Sequence, residues 1–227
     1  MNQLTHSNTA PCSAFFDVDD TVIAVKSMLS FQDLWYSRHH DPLAEQRYRD
    51  DLAGIKKDNA CWATLNRKYY SHFAGRSVDE VKSLAYEWYL LQSKDKRFYH
   101  SHVISLLRQH QSLGHTCVFV SGSFQELLEP IAKELNVEHV LAIELETDNG
   151  RYTGRIIPPQ TIGEGKVLAI EEFLAQHLIC ASNCYAYGDD ISDFPMLEYV
   201  GKPNVIAGGR SLEEKARRLG WPIILPY

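Results

Sequence analysis

The chain has 227 residues, 44% hydrophobic and 23% charged, with a formal net charge of −6. This length fits one large domain, or a core with a smaller insertion, and the composition is that of an ordinary globular protein with a substantial core. The acidic balance argues against nucleic-acid or anionic-membrane partners, and no stretch reaches the ~20 apolar residues that a membrane span needs.

Met1–Cys12 is polar and lacks the basic start and apolar centre of a secretion signal, so it reads as a short disordered lead-in. Ala14–Phe16 is an apolar run, expected as a buried strand, which feeds directly into Asp17-Val18-Asp19-Asp20-Thr21. Three carboxylates within four residues repel one another, and a hard, oxygen-seeking cation such as Mg2+ would relieve the repulsion. An acidic turn capping the next helix is the plainer alternative.

Residues 22–100 are too long for a simple crossover and show almost no strand signal. They carry Trp35, Tyr36, Tyr48, Trp62, Tyr69, Tyr70, Phe73, Tyr86, Trp88 and Tyr89 in helix-like contexts. Three or four helices are expected, with breaks near Asp41-Pro42 and Gly75, and the aromatic stripes read as the insertion's own core. This segment holds 13 Lys/Arg and 10 Asp/Glu, net +3, leaving the rest with 10 and 19, net −9. A basic lid over an acidic, cation-binding remainder would suit an anionic substrate.

Beyond residue 100, strand and helix signals alternate. Helix Ser101–Gln111 precedes strand Cys117–Val120, which ends in Ser121-Gly122-Ser123; helix Gln125–Leu135 precedes strand His139–Ile143. Asp148-Asn149-Gly150 is a turn signal within Glu144–Ile157 and predicts a small hairpin. Gly163-Glu164-Gly165-Lys166 opens helix Gly165–Gln176. Strand Tyr185–Tyr187 ends in Gly188-Asp189-Asp190, with Asp193 close behind, and helix Ser192–Tyr199 follows. Strand Asn204–Ile206, helix Leu212–Leu219 and strand Ile223–Leu225 complete the series. The alternation predicts a mostly parallel sheet covered on both faces. In such sheets ligands bind outside the carboxyl ends of the strands, so strand-end groups far apart in sequence can meet. Acids, hydroxyls, backbone amides and one lysine would meet there, a set suited to phosphoryl transfer.

Cysteines 12, 61, 117, 180 and 184 are odd in number and form no Cys-x-x-Cys pair, which predicts free thiols in a reducing cytosol. The ten histidines are scattered, with His39-His40 and His100-x-His102 in polar surroundings, and are expected to face solvent.

The ordered set Asp17-x-Asp19-x-Thr21, Ser121, Lys166 and Gly188-Asp189-x-x-x-Asp193 resembles the four motifs of haloacid-dehalogenase-type phosphohydrolases. More narrowly it resembles their phosphoserine-phosphatase-like branch, which carries a helical cap inserted after the first motif. The resemblance covers residues 13–21 and 101–225; the cap is matched by position and helical character alone. It implies a Rossmann-like α/β core, residues 1–21 and 101–227, with a helical cap domain at residues 22–100.

The resemblance also implies roles. Asp17 would be the nucleophile that forms an aspartyl-phosphate, and Asp19 the general acid and then base. Mg2+ would be held by Asp17, the backbone carbonyl of Asp19 and Asp189, with Asp193 and Thr21 behind them. Ser121, the Gly122 amide and Lys166 would hold the transferring phosphoryl group. Asp190 reads as favourable charge near a helix N-terminus, and Asp20 receives no role. The family departs at one point: where phosphoserine phosphatases carry a glutamate for the substrate's ammonium, this chain has Lys26. That reversal argues against phosphoserine and for a second anionic or polar group on the substrate. The expectation is a cytoplasmic Mg2+-dependent phosphatase of a small anionic metabolite, its cap opening and closing over the site. A phosphotransferase of the same chemistry and a catalytically retired binding protein are the alternatives; oligomeric state is not legible.

Overall fold

The structure, a computed structural model, describes residues 11–57 and 61–227. Of the expected disordered lead-in Met1–Cys12, residues 1–10 lie outside the described residues, whereas Cys12 is tied to the sheet, its O accepting the Thr116 N–H.

Seven strands form one sheet: β1 (Ser13–Phe16), β2 (Thr116–Phe124), β3 (His139–Asp148), β4 (Arg151–Ile157), β5 (Tyr185–Gly188), β6 (Lys202–Ile206) and β7 (Ile223–Ile224). Their spatial order is β4-β3-β2-β1-β5-β6-β7. Every adjacent pair is parallel except β3 with β4. The period-2 alternation of strands divides the core. Phe15, Val118, Val120, Ala186 and Val205 face one buried cluster, while Phe16, Phe119 and Tyr187 face the other. Helices cover both faces, so the central strands β1, β2 and β5 read as nearly continuous apolar runs.

Within residues 22–100 the structure has α1 (Ser27–His39), α2 (Pro42–Lys57), α3 (Trp62–Ser71) and α4 (Val78–Gln92). Both expected breaks occur. His40 adopts a left-handed conformation (φ 49°) that ends α1, and Asp41 Oδ1 accepts the Ala44 N–H at the start of α2. Gly75, at φ 82°, turns the chain between α3 and α4. The core helices are α5 (Ser101–Ser112), α6 (Gln125–Glu134), α7 (Glu164–His177), α8 (Phe194–Tyr199) and α9 (Arg210–Leu219).

One expectation is borne out and one needs correction. The expected hairpin is present: its first arm is the second half of β3, and its second arm, β4, is the edge of the main sheet. Asn149 and Gly150, both at positive φ, make its turn. The buried aromatic residues of 22–100 pack on one another, Tyr36, Tyr48 and Tyr69 for example, but share one core with the sheet, while Trp62 and Tyr86 of the expected stripes are exposed. Phe31 and Tyr70 pack against Phe124 of β2, and Phe73 packs against Phe124 and Tyr152 of β4. Backbone bonds join the same surfaces: Gly75 N–H donates to Tyr152 O, Tyr152 N–H to Arg76 O, and Val78 N–H to Gly150 O. The loop before α4 thus covers an edge strand whose groups would otherwise be unpaired. Periodicity reveals that a stripe is buried but not against what.

The five cysteines are free, with Cys117 and Cys184 buried. Two histidines depart from the expected exposure. His100 is buried with Nδ1 against Thr21 O, and His110 is buried with Nε2 against the Tyr187 hydroxyl. Among the described residues, no helix is long and apolar enough to cross a membrane.

Candidate active site

The direction of the chain across the sheet reverses beside β1. From β1 it proceeds through β2 and β3 on one side, and β5 then returns to β1's other edge. A ligand crevice is expected where such strand ends diverge. Asp17 follows the last residue of β1, with its N–H bonded to Tyr187 O of β5. Asp189 follows β5, and Ser121 lies within β2 where the pairing with β3 loses register. Lys166 sits in the first turn of α7. These four side chains are buried, though separated in sequence by up to 172 residues.

Lys166 is the hub. Its Nζ lies 2.5 Å from Asp17 Oδ1 and 2.7 Å from Asp193 Oδ1. Burial works against its charge, but the two carboxylates outweigh burial and hold its pKa above the usual lysine value. Asp193 is further fixed by the Asp190 N–H, which donates to its other oxygen, while Asp190 Oδ1 accepts the Ser192 N–H. Asp190 therefore caps the short 3-10 turn Ile191–Asp193, as its expected place near a helix start implies. Gly188 is required here, since a Cβ on it would lie 2.6 Å from that of Asp193.

One oxygen from each of Asp17, Asp189 and Asp193 falls within 4.8 Å of the others. Burial raises the Asp17 carboxyl well above the usual carboxylate range; Lys166 opposes this, and Asp193 and Asp189 add to it. Burial, with Asp193, pushes Asp189 up to about 7, against Lys26 and the Thr21 hydroxyl, which donates to Asp189 Oδ1 at 3.1 Å. One lysine cannot balance three buried acids. An oxygen-only donor set with surplus negative charge fits a hard divalent cation.

Asp19 is placed differently. Its Oδ2 accepts the Ser27 N–H at the start of α1, at 2.9 Å, while its Oδ1 is buried without a hydrogen-bond partner. Burial pushes its pKa up to about 6, with the Ser27 bonds and Lys26 opposing. The Ser27 hydroxyl lies 2.6 Å from that of Ser123, which reaches Asp19 Oδ2 at 3.5 Å. The Ser121 hydroxyl accepts the Ser123 N–H, and Ser121 O accepts the Thr161 hydroxyl.

Three further residues escaped the sequence reading. Ser27 and Ser123 orient Asp19, and Asn66 of α3 donates to Gly122 O at 2.8 Å beside the Tyr70 hydroxyl at 2.9 Å. Ser123 stood in the motif already quoted; Ser27 and Asn66 have no local signal. Asp20, unassigned from sequence, lies 2.9 Å from Lys26 Nζ and takes a positive φ of 60°. All these groups except Gly188, Thr21, Asp20, Ser27, Thr161 and Tyr70 line one cleft, with about 640 Å3 of atom-free space including its open mouth. From residues 22–100, Lys26 is the one basic side chain among the described residues lining it. The basic excess of that segment therefore lies elsewhere on its surface.

Residues 14–198 match the family of haloacid dehalogenase-like hydrolases. The chain is similar to a probable phosphatase of Mycobacterium tuberculosis, 31% identical across 97% of this chain and 78% of that protein. It is also similar to a phosphoserine phosphatase of the same organism, 29% identical across 93% of this chain and 70% of that protein. A solved structure of a protein of unknown function from Bordetella pertussis superposes with a TM-score of 0.85 at 26% identity, covering 96% of this chain and all of that one. The chain belongs to the haloacid dehalogenase-like hydrolases and is a hydrolase of their phosphatase type.

Proposed function

We propose that this protein hydrolyses a small anionic phosphomonoester through an aspartyl-phosphate on Asp17, with residues 22–100 acting as its cap. The observation that carries the reading is the pairing of two carboxylates in different states. Asp17 is held against Lys166, whereas Asp19, which lines the same cleft, has one buried oxygen with no hydrogen-bond partner.

The Asp17 oxygen attacks phosphorus while the phosphorus–oxygen bond to the leaving alcohol breaks, and Asp19 delivers its proton to the departing oxygen. Asp19 suits this acid step because its pKa, about 6, leaves a protonated fraction near neutrality. Now ionised, Asp19 takes a proton from a water that attacks the phosphorus. The bond to Asp17 then breaks, and inorganic phosphate leaves. Lys166, the Ser121 hydroxyl and the Gly122 amide would hold the phosphoryl oxygens throughout. Asp17, Asp189 and the Asp19 backbone carbonyl would hold Mg2+, which supplies positive charge for an anion approaching a phosphate. Asp193 keeps Lys166 aimed at Asp17, and Thr21 orients Asp189.

The five free thiols support a reducing, cytoplasmic location. Opening of the whole helical segment would expose Phe31, Phe73 and Tyr152, so we place substrate entry at the rim formed by α1 and α3. Lys26 disfavours a substrate ammonium and hence phosphoserine. The test is phosphate release from a panel of phosphomonoesters with Mg2+ or with EDTA. Turnover with Mg2+ that stops in EDTA supports the reading; equal turnover in EDTA overturns the metal assignment, and none on any ester overturns the phosphatase.

A further inference from the structure

The part of the cleft contributed by α1, α3 and the loop before α7 is apolar: Met28, Leu29, Trp62, Leu65 and Ile162. Leu65 is buried and Met28, Leu29 and Ile162 are half-buried, but Trp62 leaves 38% of its surface in water. The polar groups among them are already engaged. The Asn66 amide donates to Gly122 O and accepts from Gln160 Nε2, and Lys26 is paired with Asp20. A zwitterionic leaving group placed there would lose its hydration and gain no carboxylate for its ammonium, a net cost. An alkyl or aryl group would instead remove apolar surface from water on both sides.

We propose that the substrate is the phosphomonoester of an apolar alcohol, with an alkyl or aryl leaving group lying against Trp62 and Leu65. This rests on the phosphatase reading and deepens it. The phosphoryl group is held by Lys166 and Ser121 at the strand ends. The ester oxygen faces Asp19, whose backbone neighbours lead to Lys26 and Met28 at the start of α1. The chain of the alcohol then extends along α1 and α3 toward the open mouth.

Primary n-alkyl phosphates test this without confusion from leaving-group acidity, which barely changes along the series. The holoenzyme with Mg2+ is assayed on ethyl, butyl, hexyl and octyl phosphate, with phosphoserine and acetyl phosphate alongside. We expect kcat/KM to climb by up to about fourfold per methylene that becomes buried, with hexyl phosphate well above phosphoserine. In Trp62→Ala the ratio of hexyl to ethyl phosphate falls by about tenfold, and Trp62→Phe restores most of it. A flat series, phosphoserine above hexyl phosphate, or an unchanged ratio in Trp62→Ala overturns this inference alone, provided acetyl phosphate is turned over. No turnover of any compound, acetyl phosphate included, overturns the phosphatase reading and this inference with it.

Discussion

The two sides of the cleft stabilise their residues in opposite ways. At the strand ends, Asp17, Asp189, Asp193 and Lys166 are buried charges, each held by one or two short, directed bonds. On the helical side, α1 and α3 are anchored by aromatic packing shared with β2 and β4, and their cleft-facing residues are chiefly apolar. Directed bonds fix atoms to fractions of an ångström but tolerate no change of chemistry. Apolar packing resists removal of volume yet accepts many shapes. The strand-end side is therefore suited to fix the reaction, and the helical side to choose the leaving group.

The sharpest way to break this contrast is Asp17→Asn. It removes the attacking oxygen anion but keeps side-chain volume, so kcat should fall by about 10⁴-fold or more with the circular dichroism spectrum unchanged. Retention of a tenth of the activity would mean that the strand ends do not carry the chemistry. Phe73→Ala should do the reverse. Phe73 is fully buried and joins α3 to β2 and β4, so about 3–5 kcal/mol of stability should be lost in urea unfolding. Activity per folded molecule should survive far better than in Asp17→Asn. A stability loss below ~1 kcal/mol would show that the helical segment is not anchored through this cluster.

Acid should weaken the support behind the strand ends. Burial, helped by His115 and Lys202, lowers the His110 pKa to about 4, whereas an unfolded histidine titrates near 6.5. The unfolded chain thus binds the extra proton first as pH falls. The stability from a neutral His110 is complete above pH ~6.5 and is lost progressively toward pH 4, on the order of 2–3 kcal/mol. Urea midpoints at pH 7 and pH 4.5 should differ less in His110→Gln than in the parent chain; equal differences would remove His110 as the cause. The smallest effect expected is on substrate choice. Lys26 is partly exposed and shared with Asp20, so Lys26→Glu should move kcat/KM toward ammonium-bearing esters by only about five- to tenfold. An unchanged ranking would show that Lys26 serves Asp20 rather than the substrate.

The strands, the order of the core helices and the four acid, hydroxyl and lysine motifs were legible because each is a local pattern. Phe16 next to Asp17, or Tyr187-Gly188 next to Asp189, announces a strand that ends at a polar site wherever it lies in the fold. The partners of those groups were not legible. Nothing in the sequence pairs Asp20 with Lys26, caps Asp19 with Ser27, or sends Asn66 and Tyr70 to Gly122 O, since these contacts join residues whose spacing carries no periodic signal. The burial of His100 and His110 was missed for the same reason: the groups they meet, Thr21 O and the Tyr187 hydroxyl, come from distant elements.

Sequence alone was thus enough to name the acids, hydroxyl and lysine that meet at the cleft, because alternation and turn residues mark the strand ends beside which most of them stand. Tertiary structure decided how the chemistry is contained. It turned the insertion's aromatic stripes into a joint with the sheet, made the second hairpin arm an edge strand covered by the loop before α4, and set Trp62 and Leu65 into the same cleft as Asp17 and Asp19. The physical reason is that a hydrophobic face specifies burial without specifying a partner. Its partner follows only when the chain's connections and the volumes of the competing surfaces are satisfied together.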